Sequence, residues 1–112
     1  MTAPRLNRRL VLKAPVRVDD GAGGFVETWT ERGEVWAEVS ARSGRERGLA
    51  GTPIASVAYR IVVRAAPQGS AMRPQAGQRL CDGAQVFVIR AVAERGPDAR
   101  HLICFADAEV VA

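Results

Sequence analysis

Apolar and polar residues alternate along much of this chain with the period of two that marks half-buried β-strands. The pattern is clearest over Val57-Ala58-Tyr59-Arg60-Ile61-Val62-Val63-Arg64, where Val57, Tyr59, Ile61 and Val63 form an apolar face and Arg60 and Arg64 lie on the other. Phe25 to Ser40 alternates as one long strand or two short ones broken at Glu31-Arg32-Gly33, with Val35, Ala37 and Val39 facing one way and Glu34, Trp36, Glu38 and Ser40 the other. Arg9–Val18 reads as a strand interrupted by Pro15, and a missing ladder donor places that proline at an edge or a bulge. Arg79-Leu80-Cys81 is followed by Asp82-Gly83, a strong hairpin signal. The return strand, Ala84 to Ala93, is apolar on both faces, with Val86, Val88 and Val92 set against Phe87, Ile89 and Ala91. Glu94 to Arg100 reads as a turn and His101 to Ala106 as a last strand.

Two connections stand out. Asp19-Asp20-Gly21-Ala22-Gly23-Gly24 leads into strand-like sequence, has two carboxylates and ends without a lysine, so it reads as a hairpin loop and not a phosphate cradle. Residues 41–53 contain the capping-box spacing Ser43/Glu46, three glycines and a terminal proline, which limits any helix to about two turns and predicts an exposed loop or short helix suited to docking or lining. The predicted fold class is all-β and mainly antiparallel: a small barrel or sandwich of six or so strands with one short helical loop. The 112 residues are expected to form a single domain, 1–112, led by a flexible basic arm over residues 1–8.

Charge refines this picture. The net charge is +4, carried by 15 arginines and one lysine, and the signs come in blocks: +5 over residues 1–18, −5 over 19–40, +5 over 41–73 and −1 over 74–112. Such blocks suit contacts between copies of the chain. Arg60 and Arg64 together open an alternative, a small OB- or SH3-like barrel holding nucleic acid on an arginine face, although only six aromatic residues are available for stacking. Cys81 and Cys104 sit in apolar strand segments and read as packed thiols; with His101 they make an incomplete metal set, and neither a metal nor a cofactor is expected. The lone histidine has no nucleophile motif around it and the carboxylate pairs do not converge, so no catalytic residue is assigned and the chain is not expected to be an enzyme. No apolar run approaches the ~18 residues of a membrane span, and the first 18 residues form no signal peptide, so the protein is expected in the cytoplasm before assembly. Trp36, set between glutamates on a polar face, either covers a secondary cluster or anchors a partner.

Read in order, several segments resemble the phage head–tail joining (head closure, or stopper) family found in tailed phages, prophages and gene transfer agents. The matching residues are Arg5-Leu6-Asn7-Arg8-Arg9-Leu10-Val11-Leu12; Asp20-Gly21-Ala22-Gly23-Gly24-Phe25-Val26-Glu27-Thr28-Trp29, similar to D-G-x-G-G-x-x-x-x-W; Val35-Trp36-Ala37-Glu38-Val39; Ser43-Gly44-Arg45-Glu46; Tyr59-Arg60-Ile61-Val62-Val63-Arg64, with Tyr59 where the family has histidine; and Met72-Arg73 with the Asp82-Gly83 hairpin. The likeness covers roughly residues 5–105. It implies a virion component: a homo-oligomeric ring of about 6 or 12 copies, such as a head-to-tail contact between copies closes. The ring would lie between the portal or adaptor ring and a tail terminator or tail tube, with DNA passing through without sequence-specific binding. The residues expected to carry protein contacts are Arg5, Arg8, Arg9, Trp36, Ser43, Gly44, Arg45, Glu46, Arg47, Arg60 and Arg64.

Overall fold

Each predicted strand segment forms a strand, and the six close on one another. The structure is a computed structural model that describes residues 3–42, 56–83 and 85–109. The strands are β1 (Arg8–Asp19), β2 (Phe25–Ala41), β3 (Ser56–Arg64), β4 (Arg79–Asp82), β5 (Gln85–Arg95) and β6 (His101–Glu109). All pairings are antiparallel, and the order β1-β2-β3-β6-β5-β4 returns to β1 to close a barrel. Among the described residues there is no helix. The segment predicted as a loop or short helix, with Ser43, Gly44, Arg45, Glu46 and Arg47, lies outside the described residues apart from its first two positions.

Alternation fills the barrel. Leu10, Leu12, Ala37, Ile61, Val63, Leu80, Phe87, Ile89, Leu102, Cys104, Ala106 and Ala108 form one buried cluster. Tyr59 packs edge-on against Phe87, with ring centroids 5.1 Å apart, in the arrangement that aromatic quadrupoles favour. Cys81 and Cys104 are both buried, as the apolar context of each predicts. Burial pushes the Cys104 thiol up to about 12.

Extra residues in two strands alter details of the sequence reading. In β2 the pairing of Leu12 with Gly33 is followed by that of Lys13 with Glu31, so Arg32 is a bulge and Glu31–Gly33 bends one strand without dividing it. In β5, Ile89 pairs with Ala106 and Ala91 with Phe105, so Arg90 is extra and parity inverts. Val92 therefore packs on the core with Phe87 and Ile89 while Ala91 is exposed, the reverse of simple alternation. The β4–β5 turn also falls one residue later than Asp82-Gly83: Asp82 pairs with Gln85, and Gly83 (φ +55°) takes the first loop position, where a two-residue hairpin needs positive φ. The last strand runs on to Glu109.

β4 pairs with β1 only at Val11, Leu12 and Lys13, and β3 pairs with β2 only from Ala37 onward. Ala14–Asp19 and Phe25–Thr30 therefore extend past the barrel as a ribbon bonded only to itself. Pro15 sits at this open edge, as a residue without a backbone donor should. The turn is closed by carboxylates: Asp19 Oδ1 accepts from the Gly21 N–H at 2.8 Å, and Asp20 Oδ1 accepts from the Ala22 and Gly24 N–H groups at 2.8 and 3.0 Å. Those bonds hold the Asp20 carboxyl below the usual carboxylate range. The loop is thus a hairpin turn, and its two acids are committed to its geometry.

Candidate functional site: an assembly surface

Register explains the first two charge blocks. The basic strand β1 lies antiparallel to the acidic strand β2, so Lys13 faces Glu31 and Arg17 faces Glu27, and Arg9 Nη1 lies 3.7 Å from Glu34 Oε2. Cross-strand pairs of opposite sign stabilise a ribbon. The +5 and −5 blocks therefore meet within one hairpin, and they need not signal contacts between copies.

Arg8 is committed to the fold as well. It lies on the inward-facing side of β1 at the barrel's end, its Nε and Nη2 reach Asp82 Oδ2 at 2.8 and 2.7 Å, and Nη2 donates to Gln85 Oε1 at 2.9 Å. Its guanidinium lies 5.5 Å from the Phe87 ring centroid. Arg8 thus caps the core and ties β1 to the β4–β5 turn. Arg5 is exposed, but its backbone N–H donates to Glu38 Oε2 at 2.8 Å, which folds the arm back along β2.

The third block is different. Arg60 and Arg64 are both exposed on the outer face of β3, and neither makes an ion pair among the described residues. Arg42 stands beside Arg60 with its guanidinium 5.3 Å from the Phe105 ring centroid. Arg64 stands at the junction of two depressions. One, about 710 Å³, is lined by Leu6, Glu34, Val35, Trp36, Arg64, Ala65, Ala66 and Met72; the other by Arg64, Ala65, Ala99, Arg100 and His101. Trp36, 56% exposed, forms a wall of the first.

The walls are fixed. The Arg73 guanidinium donates to the Ala66 carbonyl at 2.8 Å, the Ala65 N–H donates to the Arg100 carbonyl at 2.8 Å, and Met72 packs on Gly33. Of the predicted contact residues, the structure brings Trp36 and Arg64 together, leaves Arg9 and Arg60 on the outer surface, and gives Arg8 a structural role. Leu6, Ala65, Ala66 and Met72 were not predicted as contact residues, because a groove between a strand and a loop leaves no periodic trace. Their only signal was the place of Leu6 and Met72 within the family-like segments.

The described residues thus form a closed barrel with an apolar groove on its surface and a two-stranded ribbon that extends past it. The chain belongs to the phage head completion protein family, whose model matches residues 1–109. A chain from the virion of a native gene transfer agent particle is 56% identical over 98% of this chain and 100% of its own, with a TM-score of 0.83. Protein SF1141 from Shigella flexneri 2a, 21% identical over 95% of each chain with a TM-score of 0.66, shares the fold. No curated protein matches the chain. The protein is a structural virion component, with an all-β barrel as its fold.

Proposed function

We propose that this chain forms a homo-oligomeric ring between the portal or adaptor ring and the tail, closing the filled head and offering the surface on which a tail terminator or tail tube docks. The observation that carries the reading is the near full-length likeness to a chain of an assembled gene transfer agent virion, together with family membership. The fold supports it: a barrel without edges presents a ribbon and a groove at different places, and two different patches generate head-to-tail contacts that close into rings. Arg42 and Arg60, exposed side by side and without an ion pair among the described residues, suit phosphates of passing DNA or acidic groups of an adjoining ring.

Particles made without this chain test the proposal. DNA-filled heads without tails are expected, with tails restored by supplying the protein. Tailed particles of normal yield from cells lacking it would overturn the assignment.

A further inference from the structure

The inward face of β1 does not end where the barrel ends. Leu10, Leu12 and Ala14 are buried; the same face continues as Val16 and Val18, with Val26 opposite Val18. These three valines are 36%, 47% and 51% exposed; Phe25, 64% exposed, lies on the ribbon's other face with the Arg17 guanidinium 5.1 Å from its ring centroid. Here a core-like stripe has run out of core. Solvent-exposed apolar stripes on a ribbon with two open edges are a liability that folds normally cover.

The same molecule carries a depression of matching chemistry. Its floor and walls are Leu6, Val35, Trp36, Ala65, Ala66 and Met72; Glu34, which faces Arg9 at 3.7 Å, also lines it, and at its mouth stands Arg64, with Arg100 and His101 in the adjoining depression. The ribbon tip carries Asp19 and Asp20, whose Oδ1 atoms accept from the turn's own N–H groups and which make no ion pair among the described residues. An apolar, acid-tipped projection and an apolar groove with an arginine at its mouth are complementary. They cannot meet within one chain. Ten residues of continuously paired strand separate Val26 from Trp36, roughly 30 Å at the rise of a β-strand, and the ladder holds that separation.

We infer that the β1–β2 ribbon of one copy seats its Val16/Val18/Val26 stripe in the Trp36–Ala66–Met72 groove of the next copy, with Asp19 and Asp20 facing that copy's Arg64. Because knob and groove are different surfaces, each copy gives one ribbon and receives one, and the contact propagates around a ring. This rests on the ring reading above and adds to it the surface through which copies meet.

Paired cysteines in assembled particles test it. Val18→Cys with Ala66→Cys, and as a second pair Val26→Cys with Trp36→Cys, are assembled under reducing conditions and then oxidised. Native Cys81 and Cys104 are buried and stay out of the reaction. Either pair is expected to give a ladder of covalent dimers, trimers and higher multimers of this chain on a non-reducing gel, while each single-cysteine variant runs mainly as monomer. Copy number per particle, counted by quantitative mass spectrometry, separates the two claims. Many copies with no ladder from either pair, or with cysteines joined within one chain or to another protein, would overturn the ribbon-in-groove contact and leave the ring standing. One copy per particle would remove both. If neither paired variant assembles, Arg64→Glu decides: a folded variant with undiminished particle yield overturns the contact, and at least a tenfold loss supports it.

Discussion

At the scale of single residues, two side chains that look reactive or adhesive in the sequence are spent on the fold. Arg8 joins Asp82 and Gln85 and covers Phe87, so Arg8→Leu is expected to lower stability by ~1–2 kcal/mol, the usual worth of charge-assisted hydrogen bonds at a half-buried site. Urea unfolding of Arg8→Leu, Asp82→Asn and the double variant checks this through the coupling between them. An additive pair would show that the bridge contributes nothing. Cys104 illustrates the linkage of burial to pH. Its thiol stays neutral in the fold up to about 12, whereas an unfolded thiol ionises near 9.0. The stability associated with the neutral thiol is full below that lower value and declines as pH rises towards the higher one. The stability difference between wild type and Cys104→Ala should therefore shrink with rising pH, by about 1 kcal/mol per unit between roughly pH 9 and 11. A difference independent of pH in chemical denaturation would contradict the burial argument.

At the scale of elements, β2 owes its bend to Arg32 and its close approach to the 65–78 connection to Gly33. Gly33 has φ +147°, and an added Cβ would lie 2.7 Å from Met72 Sδ and 3.0 Å from Met72 Cε. Gly33→Ala is accordingly expected to cost ~1–3 kcal/mol from backbone strain and crowding. Met72→Ala in the same chain should return only the crowding part, because the backbone strain does not depend on the neighbour. Thermal melts of the two single variants and the double variant separate these contributions; full rescue would show that strain at Gly33 is negligible. The ribbon is the other element with a consequence. Its turn is held by Asp19 and Asp20 and its base by Arg79, whose guanidinium lies 3.9 Å from the Trp29 ring centroid, so it reaches out as a pre-formed arm that need not be ordered on contact.

At the scale of the whole molecule, the exposed large apolar side chains among the described residues are four on the ribbon, Trp36 at the groove and Val57 on β3. A ribbon of about a dozen residues buries less than the ~800 Å² per partner of a stable interface, so one contact alone is weak. The isolated protein is expected to be largely monomeric at micromolar concentration and to gain its ring on a neighbouring ring. Light scattering of the purified protein checks this, and a stable ring formed without any partner would refute it.

The sequence by itself determined the strands, because a period of two survives wherever one face is buried, as over Leu10–Ala14; in Val57–Arg64 it placed the strand, although Val57 is exposed and Val62 buried against that alternation. It also determined the Asp19–Gly24 hairpin, the packed thiols and the family, since these follow from local chemistry or from the order of short segments. The bulge at Arg32 was legible only as an interruption and that at Arg90 not at all: one extra residue reverses every later side chain, and its position is chosen by the partner strand. Closure into a barrel was likewise decided by pairings between residues far apart, such as Val11 with Cys81. The site divided in the same way. Trp36 and Arg64 were visible as an exposed aromatic and an exposed cation on alternating strands. What they belong to was not, because Leu6, Ala66 and Met72 reach the same depression from three separate stretches of chain. The charge blocks show the reason most directly: composition gives their signs, but only the antiparallel register of β1 and β2 decides that the first two neutralise each other and leave Arg60 and Arg64 facing outward.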